Sequence, residues 1–428
     1  MAPHKIIIDT DPGVDDILAL LLAMAAKPEE IELIMVSVTY GNVPLTSCLK
    51  NAVALFHVLE KEFAWRRSVG RAEGYESLKA CKPILAVGPD HPLEEESLMA
   101  DYFHGLDGLH GVHEKHPDLS PADTWKDLFK GGAEAASENN HLFTPSKVPA
   151  HKELLRLLRE NPVDSITLLT VGPMTTAALA AGEDPETFLK LKEVVVMGGA
   201  VHVPGNITPV AEFNTYADTI AAARVLALTS AKPASTMPVL PNELSKLPPY
   251  PESLPRKLNL ALFPLDITTP HLLMRDTFDA AIKRQLEAGS PLAIWINHFL
   301  SKTLDHIESL VGPDEIPGLS LHDPLTVWYM ITHNDPGWKT TPKPEDIRVE
   351  TTGQWTRGMN VIDKRGRKRA EDVTLTPATS TAPAIMAEEI PNDDNGWLSA
   401  VRGNRVNRYI SSPGEMAFAP FMLERIFG

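Results

Sequence analysis

One short run near the start of the chain constrains its fold more than any other. Ile6-Ile7-Ile8 leads into Asp9-Thr10-Asp11-Pro12-Gly13-Val14-Asp15-Asp16. Consecutive β-branched residues favour a strand, and Pro-Gly ends it. Ile17, Leu18, Leu20, Leu21, Leu22 and Met24 then follow, apolar on nearly all sides, which predicts a buried helix from about Asp15. A buried strand feeding a buried helix opens a parallel α/β sheet, and such sheets bind ligands at the carboxyl ends of their strands. Four carboxylates in eight residues at such an end repel one another unless something positive lies among them. Helix capping explains one or two, with Asp11 as N-cap, Pro12 at N1 and Asp15 or Asp16 near the positive end of the helix dipole. The remainder ask for a cation, and oxygen donors suit a hard one, Ca²⁺ or Mg²⁺.

The rest of the chain sustains the same alternation. Strands are expected at residues 5–9, 31–39, 84–87, 165–171, 193–197 and 259–265. Helices are expected at 46–61, 152–159, 174–181, near 219–228, and at 277–286, 292–307 and 324–332. This pattern predicts one α/β domain over residues 1–428, an open and mostly parallel sheet flanked by helices. Residues 62–82 (charged and irregular), 113–149 (polar) and 230–256 break it and read as surface insertions. The last contains Leu247-Pro248-Pro249-Tyr250-Pro251, expected to be extended. Residues 364–428 show mixed patterning and read as a C-terminal extension.

Charge and cysteine content exclude several classes. Forty basic against 56 acidic side chains leave a net charge of −16, which repels nucleic acid and anionic membrane surfaces. Two cysteines, Cys48 and Cys81, make neither a disulfide framework nor a zinc site. The residues before Ile6 carry no signal-peptide pattern, so a cytoplasmic location is expected.

Other segments are ambiguous alone. Leu321-His322-Asp323-Pro324 reads equally as a helix cap. Pro204-Gly205-Asn206 and Glu212-Phe213-Asn214 suit a loop that grips hydroxyls or one bonded to itself, and Val171-Gly172-Pro173 suits a β–α turn. His104, His110, His113 and His116 are irregularly spaced in a glycine-rich stretch, which favours a solvated lid over a metal site.

In this order and context, the segments resemble one family, the inosine–uridine-preferring nucleoside hydrolases. Tyr40-Gly41-Asn42, His104-Gly105 with Gly108-Leu109, Val196-Met197-Gly198-Gly199, Asp218 and Thr356-Arg357-Gly358-Met359 add to the likeness. Thr176 and Asn360 depart from the family pattern at supporting positions. The resemblance implies a nucleoside hydrolase-like fold and cleavage of the N-glycosidic bond of a small-molecule ribonucleoside, with a role in nucleobase salvage. It implies one Ca²⁺ held by Asp11, Asp16, Asp323 and the Val171 carbonyl. Asp11 is the implied general base, oriented with its water by Asn42. Asp15, Glu212 and Asn214 are implied to bind the ribose hydroxyls, with Asn206 assisting and Met197 packing under the sugar. His322 and His104 are the candidates for donating to the leaving base, because histidine titrates near neutrality. Trp295, His298 and His306 lie on a helix that could wall the base pocket. A homodimer or homotetramer is implied. Two rivals remain: a haloacid-dehalogenase-like phosphatase using Asp9 as nucleophile, and a riboside-binding protein without turnover.

Overall fold

Nine strands form a single sheet in the computed structural model, which describes residues 3–93, 103–130, 142–238, 247–312, 316–367 and 392–428. Numbered along the chain within this sheet, they are β1 (His4–Thr10), β2 (Ile31–Val38), β3 (Ile84–Val87), β4 (Thr144–Pro145), β5 (Ile166–Thr170), β6 (Glu193–Met197), β7 (Leu260–Phe263), β8 (Lys339–Thr340) and β9 (Asn407–Ser411). Their order is β4-β3-β2-β1-β5-β6-β7-β9-β8, and every pairing is parallel except that of β8 with β9. The chain runs outward from β1 to β4, then returns to lay β5 against the free side of β1. The strand order therefore reverses between β1 and β5, the place where an open α/β sheet leaves a crevice for ligands. Asp9 sits in register with Ser37 on β2 and Thr170 on β5, at the mouth of that crevice.

The fingerprint folds as expected, with its helix starting at Val14, but the cap is not the one the capping reading offered. Val14–Met24 is helical and all eleven residues are buried. Its N-cap is Gly13 rather than Asp11, because the Asp16 carboxylate reaches back to accept the Gly13 N–H at 3.0 Å. Asp11 and Pro12 are thereby left in the turn, and the Asp11 carboxylate is not used as a cap. This helix packs on His322–Thr332, and the C-terminal helix Glu415–Phe427 packs on its flank.

Segments read as surface turn out to supply structure. Within 62–82, helix Leu45–Ser68 continues without a break, and Glu76–Ala80 is helical. Charge hid this: Glu62 and Arg66 are both buried, paired at 2.7 Å one helical turn apart. Glu62 also accepts from Ser290 Oγ at 2.6 Å, and Arg66 Nη2 donates to the Ile426 carbonyl. Arg66→Ala would strand the Glu62 carboxylate in the interior, so we expect a loss of about 3–5 kcal/mol, read from urea unfolding. A change under about 1 kcal/mol would show the pair to be solvated.

Around 113–149, Trp125 and Phe143 enter the core, and Thr144–Pro145 forms the edge strand β4; residues 131–141 lie outside the described residues. In 230–256, of which 239–246 are not described, Tyr250 is buried beneath the Arg224 guanidinium. Arg224 donates to the Pro248 carbonyl at 2.7 Å. The C-terminal segment, apart from residues 368–391 outside the description, is not an appendage. It inserts β9 between β7 and β8, and its helix buries Phe418, Met422, Leu423, Ile426 and Phe427. No helix among the described residues is long and apolar enough to cross a membrane.

Candidate active site

At the carboxyl end of β1 the backbone turns through Pro12-Gly13 and gathers acids from three directions. Asp16 accepts four hydrogen bonds: Thr10 Oγ1 at 2.5 Å, Asp11 N at 3.2 Å, Gly13 N at 3.0 Å and Asn42 Nδ2 at 3.0 Å. These hold its carboxylate in one orientation. Asp11 Oδ2 accepts the Asn42 N–H at 2.7 Å, while Asp11 Oδ1 is buried with no partner. Gly41 and Gly172 press close on either side of this carboxylate. A Cβ at Gly41 would lie 2.0 Å from Asp11 Oδ2, and one at Gly172 would lie 2.5 Å from Oδ1. Asp323 arrives in the first turn of helix His322–Thr332. Carboxylate oxygens of Asp15, Asp16 and Asp323 come within 4.8 Å of one another.

Of the expected metal donors, then, the structure groups Asp16 and Asp323 with Asp15, and sets Asp11 close enough to feel their charge. The Val171 carbonyl follows β5 directly and accepts from Asn214 Nδ2 at 2.8 Å. Burial pushes Asp11 and Asp323 well above the usual carboxylate range, and their acidic neighbours push further. Asp15 is raised to about 7 by burial and by Asp16. A cluster so reluctant to ionise, with an orphaned oxygen at its edge and only oxygen donors, fits a hard divalent cation.

These acids floor a cavity of roughly 400 Å³. Asp15, Asn42, His104, Val171, Met197, Asn206, Glu212, Asn214, His322 and Asp323 all line it. Asp11 and Asp16 lie beneath, fully buried. The loop after β6 shapes the opposite side. Glu212 caps helix Phe213–Ala217, with Oε1 accepting from Asn214 N at 2.8 Å and Oε2 from Thr215 N at 3.0 Å and Gly199 N at 2.8 Å. Asn206 Oδ1 takes the Phe213 N–H at 2.9 Å. Gly199 has φ +85°, and a side chain there would strike Asn360, whose Oδ1 accepts from Ala200 N. Asn360 thus braces this loop from outside the cavity.

The two histidines differ from expectation in protonation. His104 Nδ1 accepts the Val14 N–H at 3.0 Å, so its ring proton belongs on Nε2. Burial pushes it down to about 3. His322 Nδ1 pairs with Thr268 Oγ1 at 2.7 Å, and burial lowers it to about 4. Both are neutral near pH 7; His104 offers an imidazole Nε2–H, and His322 does so when its Nδ1 accepts from Thr268 Oγ1. In the stretch after His104, the half-buried His110 and His113 line a separate surface cleft and are each tied to a neighbour. His110 Nε2 pairs with Thr303 Oγ1 at 3.0 Å, and His113 Nε2 with Asn51 Oδ1 at 2.8 Å. They do not gather as metal ligands among the described residues.

Sequence reasoning missed the apolar wall: Phe103, Ile207, Phe213, Ile307, Leu310 and Leu319. Helix Pro291–Leu310 does line the cavity, through its last turn. Trp295 is fully buried in the core instead, and His298 faces a separate surface cleft. No sequence signal separates such wall residues from core. The phosphatase rival loses its nucleophile. Asp9 is fully buried, bonded to Ser37 Oγ, and does not line the cavity.

The chain is similar to known proteins over most of its length. The family model described as inosine-uridine preferring nucleoside hydrolase matches residues 6–387. An uncharacterized protein of Schizosaccharomyces pombe is 30% identical over 361 residues, covering 84% of this chain and 89% of that protein. The pyrimidine-specific ribonucleoside hydrolase RihA of Salmonella arizonae is 28% identical over 359 residues, covering 84% of this chain and 88% of its own length. Among solved structures, a purine-preferring ribonucleoside hydrolase from Gardnerella vaginalis superposes with a TM-score of 0.64 at 20% identity, covering 99% of this chain and 98% of the other. A plant nucleoside hydrolase, PpNRh1, gives 0.63 at 20% identity, over 100% and 99% of the two chains, and these two establish the shared fold. Sequence match, sheet topology and acidic floor agree, and the chain belongs to the inosine-uridine preferring nucleoside hydrolase family.

Proposed function

We propose that this nucleoside hydrolase cleaves the N-glycosidic bond of ribonucleosides with the help of one bound Ca²⁺, releasing free base and ribose. The observation that carries the reading is the group formed by Asp15, Asp16 and Asp323 at the floor of a half-apolar cavity. Asp11, Asp16, Asp323 and the Val171 carbonyl would hold the ion, and the oxygen-only donor set favours Ca²⁺. When bound, the ion acidifies water and gives neighbouring ribose hydroxyls a template. Asp11 accepts the proton of the attacking water at Oδ1, the oxygen left unpartnered, while the Asn42 N–H pins Oδ2. Asp15 and Asn214 engage ribose hydroxyls, with Asn206 assisting. Glu212 contributes through Oε1, which has one backbone donor and keeps a lone pair. The surrounding carboxylates suit an oxocarbenium-like transition state. Met197 packs beneath the sugar. His322 and His104 donate to the leaving base as neutral imidazoles, and Phe103, Phe213, Ile307 and Leu310 enclose it.

The test is a turnover panel of inosine, uridine, adenosine, guanosine, cytidine, nicotinamide riboside and 2′-deoxyinosine, with Ca²⁺ and after chelation. Base and ribose release that needs metal, and that falls for the deoxy substrate, is expected, because a missing hydroxyl leaves buried polar groups unpaired. Metal-bound, folded protein that releases no base from any riboside would sink the proposal and leave a binding role.

A further inference from the structure

Asn51 lies on helix Leu45–Ser68, fully buried, and does not line the cavity. Its single amide nitrogen serves two backbone carbonyls: Pro12 O at 2.9 Å and Asp107 O at 2.9 Å. The first belongs to the turn between Asp11 and the Asp15-Asp16 pair. The second belongs to the loop that leaves His104. That loop is conformationally demanding, with positive φ at Gly105, Gly108, His110 and Gly111. Gly108 must be glycine for a further reason, since a Cβ there would meet Asn51 Nδ2 at 2.7 Å. Loop and turn are joined at one other point, the Val14 N–H donated to His104 Nδ1 at 3.0 Å.

The orientation of the amide is itself specified. His113 Nε2 lies 2.8 Å from Asn51 Oδ1, and His113 Nδ1 lies 3.0 Å from Ser120 Oγ. With two carbonyls facing Nδ2, the Asn51 oxygen must face the histidine, so His113 carries its proton on Nε2. We propose that Asn51 is a positioning residue that clasps the His104 loop to the acidic turn, with His113 setting the orientation of its amide. Asn51 touches no substrate; it acts by fixing where His104 Nε2 stands relative to the carboxylate floor. Without the amide, the buried Pro12 carbonyl loses its donor, the half-buried Asp107 carbonyl turns to solvent, and loop and turn lose the atom that ties them together.

The inference rests on the hydrolase reading, and the experiment separates the two. Asn51→Leu would be made in the parent and in His104→Ala, and kcat and KM measured with a ribonucleoside that the parent turns over. In the parent we expect kcat/KM to fall roughly 30-fold, within what a displacement of about 1 Å costs a catalytic arrangement. In His104→Ala the same change should cost less than about threefold, because coupled residues are non-additive. Equal factors in both backgrounds, or parental kinetics in Asn51→Leu, would overturn the clasp. If Asn51→Leu does not fold, His113→Ala replaces it. That variant keeps both carbonyl donors and frees the amide to turn, so a smaller loss confined to the His104 background is expected, and parental activity overturns the proposal. ¹⁵N-histidine spectra give a readout independent of turnover. His104 should show a hydrogen-bonded, unprotonated Nδ1 in the parent and averaging tautomers once Asn51 is replaced. An unchanged His104 signal refutes the clasp even if the parent proves inactive, which would refute only the hydrolase reading.

Discussion

Asp11→Asn is expected to lower kcat for ribonucleoside hydrolysis roughly 10³-fold, the middle of the range for a general base. The same substitution should raise the unfolding temperature of the metal-free protein. Both effects come from one geometry. Asp11 Oδ1 is buried without a partner, and the Asp16 and Asp15 charges oppose ionisation of the group. Asparagine has the same shape, keeps an oxygen for the Asn42 N–H and removes one charge from a repelling cluster. Steady-state kinetics with Ca²⁺ and thermal unfolding after chelation read the two arms. Activity within tenfold of the parent would remove Asp11 as the base. A lowered unfolding temperature in the metal-free variant would show that Oδ1 has a protein partner after all.

Chelation is expected to abolish turnover, with recovery on adding Ca²⁺, and to lower the unfolding temperature more at pH 8 than at pH 5. In the metal-free fold Asp15 is raised to about 7, while Asp11, Asp16 and Asp323 are also raised, each through burial first. A carboxyl raised in the folded state binds its proton more tightly there than in the unfolded chain. Its protonated form favours folding, and that advantage is lost as pH rises from the ordinary carboxylate range through the raised values. Buried histidines such as His104 and His322, held low in the fold, favour folding in the opposite direction as pH rises, but they contribute equally with and without metal, so the carboxyl effect is read from the difference between calcium-loaded and chelated protein. Calcium binds the deprotonated set, so its stabilisation should grow over the same window and reach about 2.7 kcal/mol at a hundred times its Kd. A calcium-induced shift in unfolding temperature that is no larger at pH 8 than at pH 5, or turnover that survives chelation, would contradict a cation site at these acids.

The regular elements were legible because their rules are local. β3, β6 and the helices around them lie where period and length put them. Errors arose where charge was buried in compensated form, as at Glu62 and Arg66, or where a strand takes its stability from neighbours. Asn-Arg-Tyr-Ile-Ser of β9 carries no strand signature, yet it lies between β7 and β8, and Tyr409 stacks on Phe263 at 4.5 Å.

The same division runs through the site. By itself the sequence determined the acidic turn, because its carboxylates are neighbours along the chain and strand-turn-helix geometry brings them together. It also determined that the turn lies at a strand's carboxyl end, where a parallel sheet opens. The tertiary structure seats against Asp15 and Asp16 the distant acid, Asp323, that its neighbouring residues left ambiguous and only the family resemblance implied. It alone built the apolar wall and buried His104 and His322 deeply enough to hold them neutral. It alone tied the His104 loop to the turn through Asn51. The physical reason is range: dihedral preference, capping and periodicity act over a few residues, whereas burial, which sets protonation and turns apolar side chains into either wall or core, depends on what the rest of the chain packs around them.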